Sequence, residues 1–348
     1  MLFARIQHII SGIATRTPIL CFSNPEMCVL TCAGDGGAFH QMTSIAILGA
    51  TGHIGKSLLF TMRGNRNYKT SCYSRSRQKL ESFLFDVRGA NEIEYFDNID
   101  AILTLKHDVI VNCIGVGNPS LLHEIGPGIL SLTERFDDLI LEYLSRYPTS
   151  LYINLSSGAV YGTEFPEAVD SGMEACIPIN NITPSQYYRT AKICSEVKHR
   201  AHKDRRIVDL RVFSFFSRFV DLSSSYLVTD LIRCSRDGET FLTDDTDIVR
   251  DFIDATDLVQ VIKACVDSGF MNTAFDLYSK RPVTKWEMIR YFQSKYDLKV
   301  TTSTARKSSV TGAKSNYYSQ DRRLHTIGYA PAFGSLETIA NESALLMQ

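Results

Sequence analysis

Three residues of this chain have the types and the spacing to move a proton while a hydride moves beside it. Ser157 ends the run LYINLSS from Leu151; Tyr188 follows 31 residues later within SQYYRTAK; Lys192 comes four residues after that. On a helix, residues i and i+4 share one face, so the Tyr188 phenol and the Lys192 ammonium point into one cleft. A phenol titrating near its ordinary value of about 10 is a poor acid–base group at neutral pH until a fixed ammonium stabilises its anion. A serine hydroxyl can then hold a substrate oxygen beside it. Tyr187 is not the partner of the lysine, because its fourth neighbour is Ala191.

Such a set needs a sheet to hold it, and the chain upstream supplies one. The stretch from Ser44 to Lys56 reads SIAILGATGHIGK: a short apolar run, Ile45 to Leu48, then Gly49, Gly52 and Gly55, then the apolar-periodic Leu58 to Met62. That is strand, glycine turn, helix. A buried strand must turn sharply, a residue without Cβ must let the backbone approach a pyrophosphate, and the N–H groups opening the helix then face the anion. Lys69 to Ser74 predicts a second strand, followed by Arg75 and Arg77. In a dinucleotide fold an acid here accepts the ribose 2′-hydroxyl, whereas arginines pair with a 2′-phosphate. No acid stands here until Glu81, which favours NADP(H), with NAD(H) the alternative. Ile93 to Phe96 reads as a short third strand and Asp108 to Ile114, DVIVNCI, as a buried fourth; Leu151 to Ser157 is the fifth. From Ile129 to Tyr147 apolar residues recur at helical spacing.

The totals remove several function classes. The chain has 348 residues, 44% hydrophobic and 22% charged, with a formal net charge of −1 and a pI near 6.7. These values give no global pull toward nucleic acid or an anionic membrane. Nine scattered cysteines without a CxxC pair read as reduced thiols, hence a reducing, cytoplasmic setting, and no His/Cys/acid set has metal spacing. No apolar run of about 18 residues predicts a membrane span. Residues 1–41 contain no acid before Glu26 and end in a Gly-rich stretch, and Met42 stands just before the first strand. They are expected to be a poorly ordered extension, a transit peptide being one reading and a non-native addition another.

Gly49, Gly52 and Gly55, Ser157, and the Tyr188–Lys192 pair together resemble the extended short-chain dehydrogenase/reductases, the NAD-dependent epimerase/dehydratase family of nucleotide-sugar enzymes, over roughly Thr43 to Glu342. The resemblance implies a Rossmann-type doubly wound parallel sheet with a small carboxyl-terminal α/β lobe. It places a mainly NAD(P)-binding domain at 42–212 and a mainly substrate-binding lobe at 213–348, with some return of the chain to the sheet. By this likeness Tyr188 is the acid–base, Lys192 tunes it and contacts the nicotinamide ribose, and Ser157 polarises the substrate oxygen. Cofactor contacts are expected from Gly49, Thr51, Gly52, His53, Ile54, Gly55, Arg75, Arg77, Asp97, Asn98, Tyr188 and Lys192. VRDFIDATDL, from Val249, resembles the segment whose arginine clamps a substrate diphosphate, making Arg250 the anchor; ion pairing with Asp247 or Asp251 is the alternative. The family's usual asparagine after DLRVF is Ser214 here, another substrate contact. The expected reaction is reduction of a 4-keto-sugar nucleotide, with 4-epimerisation the near alternative and a non-catalytic cofactor-binding protein the distant one. Water elimination is disfavoured because Gly158, not an acid, follows Ser157. A homodimer through the Ile129–Tyr147 helix and the Tyr188 helix is the family's habit.

Overall fold

The computed structural model describes residues 42–86, 93–116, 118–303 and 314–348; the extension expected over 1–41 lies outside them. The chain alternates strand and helix: β1 Thr43–Leu48, α1 His53–Met62, β2 Tyr68–Tyr73, α2 Arg77–Asp86, β3 Ile93–Phe96, β4 Val109–Asn112, α3 Pro119–Ile125, α4 Gly128–Arg146, β5 Leu151–Ser157, α5 Tyr187–Ala201 and β6 Arg206–Val212. There follow β7 Ser214–Phe215, α6 Leu227–Asp237, β8 Thr240–Thr243, β9 Val249–Arg250, β10 Phe252–Ile253, α7 Ala255–Asp267 and β11 Asn272–Asp276. Last come β12 Val283–Thr284, α8 Lys285–Tyr296, β13 Lys299–Thr302, β14 Asn316–Tyr317 and α9 Ser335–Leu346.

Seven strands form one parallel sheet in the order β11-β6-β5-β4-β1-β2-β3. The order reverses between β4 and β1, and in a doubly wound sheet the crevice at that switch, beyond the carboxyl ends of the strands, is where ligands bind. β5 is buried along its whole length, as a strand covered by helices on both faces must be. Alternation in β1 shows the two layers: Ile45 and Ile47 pack with Leu58, Leu59 and Val261 on one face, while Ala46 and Leu48 pack with Ile140, Tyr143 and Tyr152 on the other. A separate core of Phe216, Leu231, Ile232, Met288, Ile289 and Phe292 joins α6, α8 and α9. Short strand pairs, β7 with β10 and β9 with β12 and β14, lie outside the large sheet. β11 brings the chain back to the edge of the large sheet beside β6. Among the described residues no helix is long and apolar enough to cross a membrane, and all the cysteines are free.

The glycine turn is held by backbone, which explains its composition. Gly49 has φ of +71°, a conformation that a side chain resists, and it receives support from the β2 carbonyl of Tyr73 through its N–H at 2.9 Å. A Cβ on Gly55 would stand 2.4 Å from the Gly49 carbonyl oxygen and 2.9 Å from the Ala50 Cα. Neither neighbour is a side chain that can rotate away. Gly55→Ala is therefore expected to lower stability by about 1–3 kcal/mol in denaturant titration, with weakened dinucleotide binding; a variant of unchanged stability would show that the turn yields.

Candidate active site

The sequence-predicted trio converges at the carboxyl end of β5. Ser157 is its last residue, and α5 carries Tyr188 in its first turn and Lys192 one turn later. The Lys192 Nζ donates to the Leu155 carbonyl at 2.9 Å, and the lysine is buried, so the helix is pinned to the strand that presents the serine. The Ser157 Oγ accepts from the Ala159 N–H at 3.2 Å and lies 3.2 Å from the Tyr317 hydroxyl. Burial raises the Tyr317 phenol well above its ordinary value, and the Tyr188 phenol lies close enough to add to that rise. Tyr226, at the start of α6, is pushed up to about 12 by burial and then by the same Tyr188. Tyr317 thus touches the serine, and Tyr188 lies near enough to both Tyr317 and Tyr226 to perturb each.

A second group of side chains lies beyond Tyr317. Arg250 stands over the Tyr317 ring and its Nη1 donates to two carbonyls, Val249 at 2.8 Å and Lys314 at 2.7 Å. It pairs with neither nearby acid: Asp251 accepts from Ser279 and Ser335, and Asp247 from the Ile248 N–H and Trp286 N–H. Burial lowers the Arg250 guanidinium to about 10. The Lys314 ammonium, 4.2 Å from the Tyr317 ring centroid, falls to about 8, by burial first and then by Arg250. Two partly desolvated cations with no carboxylate partner among the described residues are a site for an anion with two charged groups.

The turn at 49–55 fits a dinucleotide by its own shape. The α1 N-terminus has no side-chain cap and no acid in its first turn, so its N–H groups are left to an anion. Thr51 reaches the end of β2 through its hydroxyl, 2.9 Å from Ser74 Oγ.

The sequence profile of the NAD dependent epimerase/dehydratase family matches residues 45–276, more than half of the chain. The chain belongs to that family. It is thus an extended short-chain dehydrogenase/reductase, and the family is one of enzymes. No curated protein matches it in sequence. Among solved structures it is similar to UDP-N-acetylglucosamine 4-epimerase of Methanobrevibacter ruminantium, with TM-score 0.73 and 14% identity over 88% of this chain and 99% of that one. It is also similar to UDP-glucose 4-epimerase of Thermotoga maritima, with TM-score 0.72 and 14% identity over 87% and 98%. A third similar structure is dTDP-glucose 4,6-dehydratase of Bacillus anthracis, with TM-score 0.68 and 14% identity over 87% of this chain and 96% of that one. Likeness at these identities establishes the Rossmann-type fold.

Within this family fold the remaining predicted residues fall into two groups. Gly49, Thr51, Gly52, His53, Ile54 and Gly55 line the turn between β1 and α1, with Ile54 packed on the large core. Arg75 is exposed just beyond β2 and makes no ion pair among the described residues. Arg77 is instead engaged, with Glu81 at 2.9 Å and over the Tyr95 ring. Asp97 and Asn98 are exposed after β3, and the Asn98 side chain already accepts from the Asp100 N–H. Ser214 pairs in β7 with Phe252 of β10. The structure also brings in Tyr317, Lys314, Tyr226 and Phe213, which sequence reasoning missed. They arrive from other parts of the chain with no spacing to announce them; the nearest signal was the YY pair at 317–318.

His53 is more constrained than its place in a glycine turn suggests. Its Nε2 lies 2.9 Å from Ser217 Oγ and its ring meets Phe215 edge-on at 5.1 Å. Burial lowers it to about 4, against a partial rescue by Ser217. A histidine lowered in the fold contributes stability that is fully present above about 6.5 and is lost as pH falls toward 4. His53→Phe keeps the ring and leaves Ser57 and Ser217 to pair at 2.7 Å. The loss of stability between pH 6.5 and 4 should be shallower in this variant by about 1–3 kcal/mol, read from denaturant midpoints across that range; identical acid limbs would refute the assignment.

Proposed function

We propose that this chain is a nucleotide-sugar 4-epimerase that uses NAD, with Ser157, Tyr188 and Lys192 as its proton-transfer set. The observation that supports it most is the Arg250–Lys314 pair, two half-buried cations without a carboxylate partner among the described residues, joined through Tyr317 to the serine. A nucleoside diphosphate bound there by its phosphates would deliver its sugar to Ser157. The similar structures, two 4-epimerases among them, favour this reading over the reductase expected from sequence.

A nicotinamide dinucleotide on the 49–55 turn would supply a reversible hydride acceptor. The chain's own residues do the rest. Lys192 holds Tyr188 as the phenolate by its charge, that phenolate takes the proton of the reacting sugar hydroxyl and becomes the neutral phenol as the hydride leaves the same carbon, and Ser157 keeps the oxygen in line with a hydrogen bond. Elimination of water is disfavoured by a physical limit: a Cβ on Gly158 would stand 2.5 Å from the Phe213 ring, so no acid fits after the serine. The reductase reading retains one supporting feature, the free Arg75 beyond β2, which suits a 2′-phosphate. A two-fold dimer through α4 and α5 belongs to the same proposal, supported by the exposed Val197 on α5.

The deciding assay follows C4 configuration by NMR in a panel of nucleoside-diphosphate sugars, with NAD and no reductant, against NADPH oxidation with 4-keto substrates. Tyr188→Phe should lower turnover by about 10²–10⁴-fold while sparing NAD binding; undiminished turnover would sink the catalytic assignment. Lys314→Met should raise KM for the sugar nucleotide about tenfold, a loss of about 1.4 kcal/mol. In the parent, KM should rise as pH passes about 8 and Lys314 loses its charge. A pH-independent KM would remove Lys314 from the site.

A further inference from the structure

Near Lys192 lies a buried set of charges that the proposed chemistry does not use. Asp137 of α4 is 2% exposed, and its Oδ2 has no hydrogen-bond partner. Its Oδ1 lies 3.6 Å from His199 Nε2, and the Tyr152 hydroxyl of β5 donates to that same oxygen at 3.4 Å. The Nδ1 of His199 reaches Asp209 of β6 at 2.8 Å, and Asp209 in turn accepts from Arg200 at 2.7 Å. His199 is opposed by burial, yet Asp209 and Asp137 overcome that and raise it to about 9. Asp137 is held below the usual carboxylate range against burial, by His199, by Ser195 and by the charge of Lys192. So this carboxylate is an anion inside the protein, one oxygen still unmatched.

That oxygen has a neighbour across a gap. Asp137 and Lys192 line one small cavity of about 20 Å³, together with Asn112, Asn154, Thr133 and Gly115. Ile114, Ile129, Leu132 and Phe136 complete the lining, and a space of this size has room for one water, which needs two to four polar partners; Asp137, Lys192, Asn112 and Asn154 can supply them. Lys192 has three N–H donors and gives one to Leu155. Glu196, the buried acid on α5 itself, is taken by Ser156 and by Arg211. Asp137 is therefore the carboxylate that the lysine can reach.

We propose that Asp137 is the counter-ion of Lys192, joined to it by one water in this cavity, and that it positions the ammonium for Tyr188. The inference rests on the reading of Ser157, Tyr188 and Lys192 as the proton-transfer set, and Asp137 acts only through the lysine. Asp137 keeps the Tyr152 hydroxyl whether or not His199 is present, so the carboxylate does not depend on the histidine.

The test needs no substrate. Full-length protein is treated at pH 8 with a limiting amount of acetic anhydride, and acetylation of the Lys192 peptide is read by mass spectrometry against surface lysines of the same molecule. Asp137→Asn, or Asp137→Thr if the first does not fold, should raise Lys192 acetylation at least fivefold, because an ammonium without its counter-ion yields the reactive amine more readily. His199→Gln disturbs the same buried set but keeps the carboxylate; it should lower Tm and change Lys192 acetylation less than twofold. No rise on loss of Asp137, or an equal rise in both variants, would overturn the proposal, the latter by showing loosened packing. Failure of the catalytic reading would appear separately, as undiminished turnover in Tyr188→Phe.

Discussion

A buried hydrogen bond from the Lys192 Nζ to the Leu155 carbonyl sets the geometry of the whole crevice. It ties a helix to the strand beneath it at the one point where both carry reactive groups. Tyr188 sits a turn earlier on the same helix face and Ser157 two residues later on the same strand, so one contact fixes the relation of all three. Breaking it would leave a buried ammonium unsatisfied, which the interior resists by more than the bond itself is worth. The lysine thus has a structural duty as well as a chemical one.

How much of this was readable beforehand depended on whether the signal was local. The strand–glycine–helix unit and the SS and YxxxK pairs are short patterns whose members lie near each other in the chain. Their elements appeared where expected: β3 and β5 at the predicted residues, α4 at Gly128–Arg146 against a reading of 129–147. The strand read over Asp108–Ile114 is shorter, Val109–Asn112: Asp108 still bonds to Ser44 of β1 and Leu151 of β5 at its margin, while at the other end the Ile114 N–H bonds to the Asn112 side chain instead of a neighbouring strand. Arg250 was found, but its freedom from Asp247 and Asp251 was not readable, since it depends on which carbonyls fold beside it. Tyr317 and Lys314 were invisible because nothing local marks them: their meaning comes from β14 pairing with β9, a contact made only in the folded chain. His53 shows the same limit in reverse, a residue in a recognised motif whose identity is set by Ser217, 164 residues away.

The two sides of the crevice are built on different physical terms. The turn at 49–55 recognises through backbone, with shape enforced by close approach of main-chain atoms, and it tolerates little change. In the proposed site the opposite side would recognise through long side chains, Arg250 and Lys314, both largely withdrawn from water. A backbone site serves a ligand that never varies, while a side-chain site can be retuned by single substitutions without altering the fold.

The contact between Ser157 and Tyr317 spans 160 residues. At ordinary rates of synthesis that separation is on the order of ten seconds or more on the ribosome. During that interval β1 to β5 can assemble, since each pairs with a strand already made or about to be made, but β6 still lacks β11 at its outer edge and the serine lacks its cover. The turn at 49–55 is complete long before Arg250, Lys314 and Tyr317 are made, so the last segments to emerge are those that cover the serine.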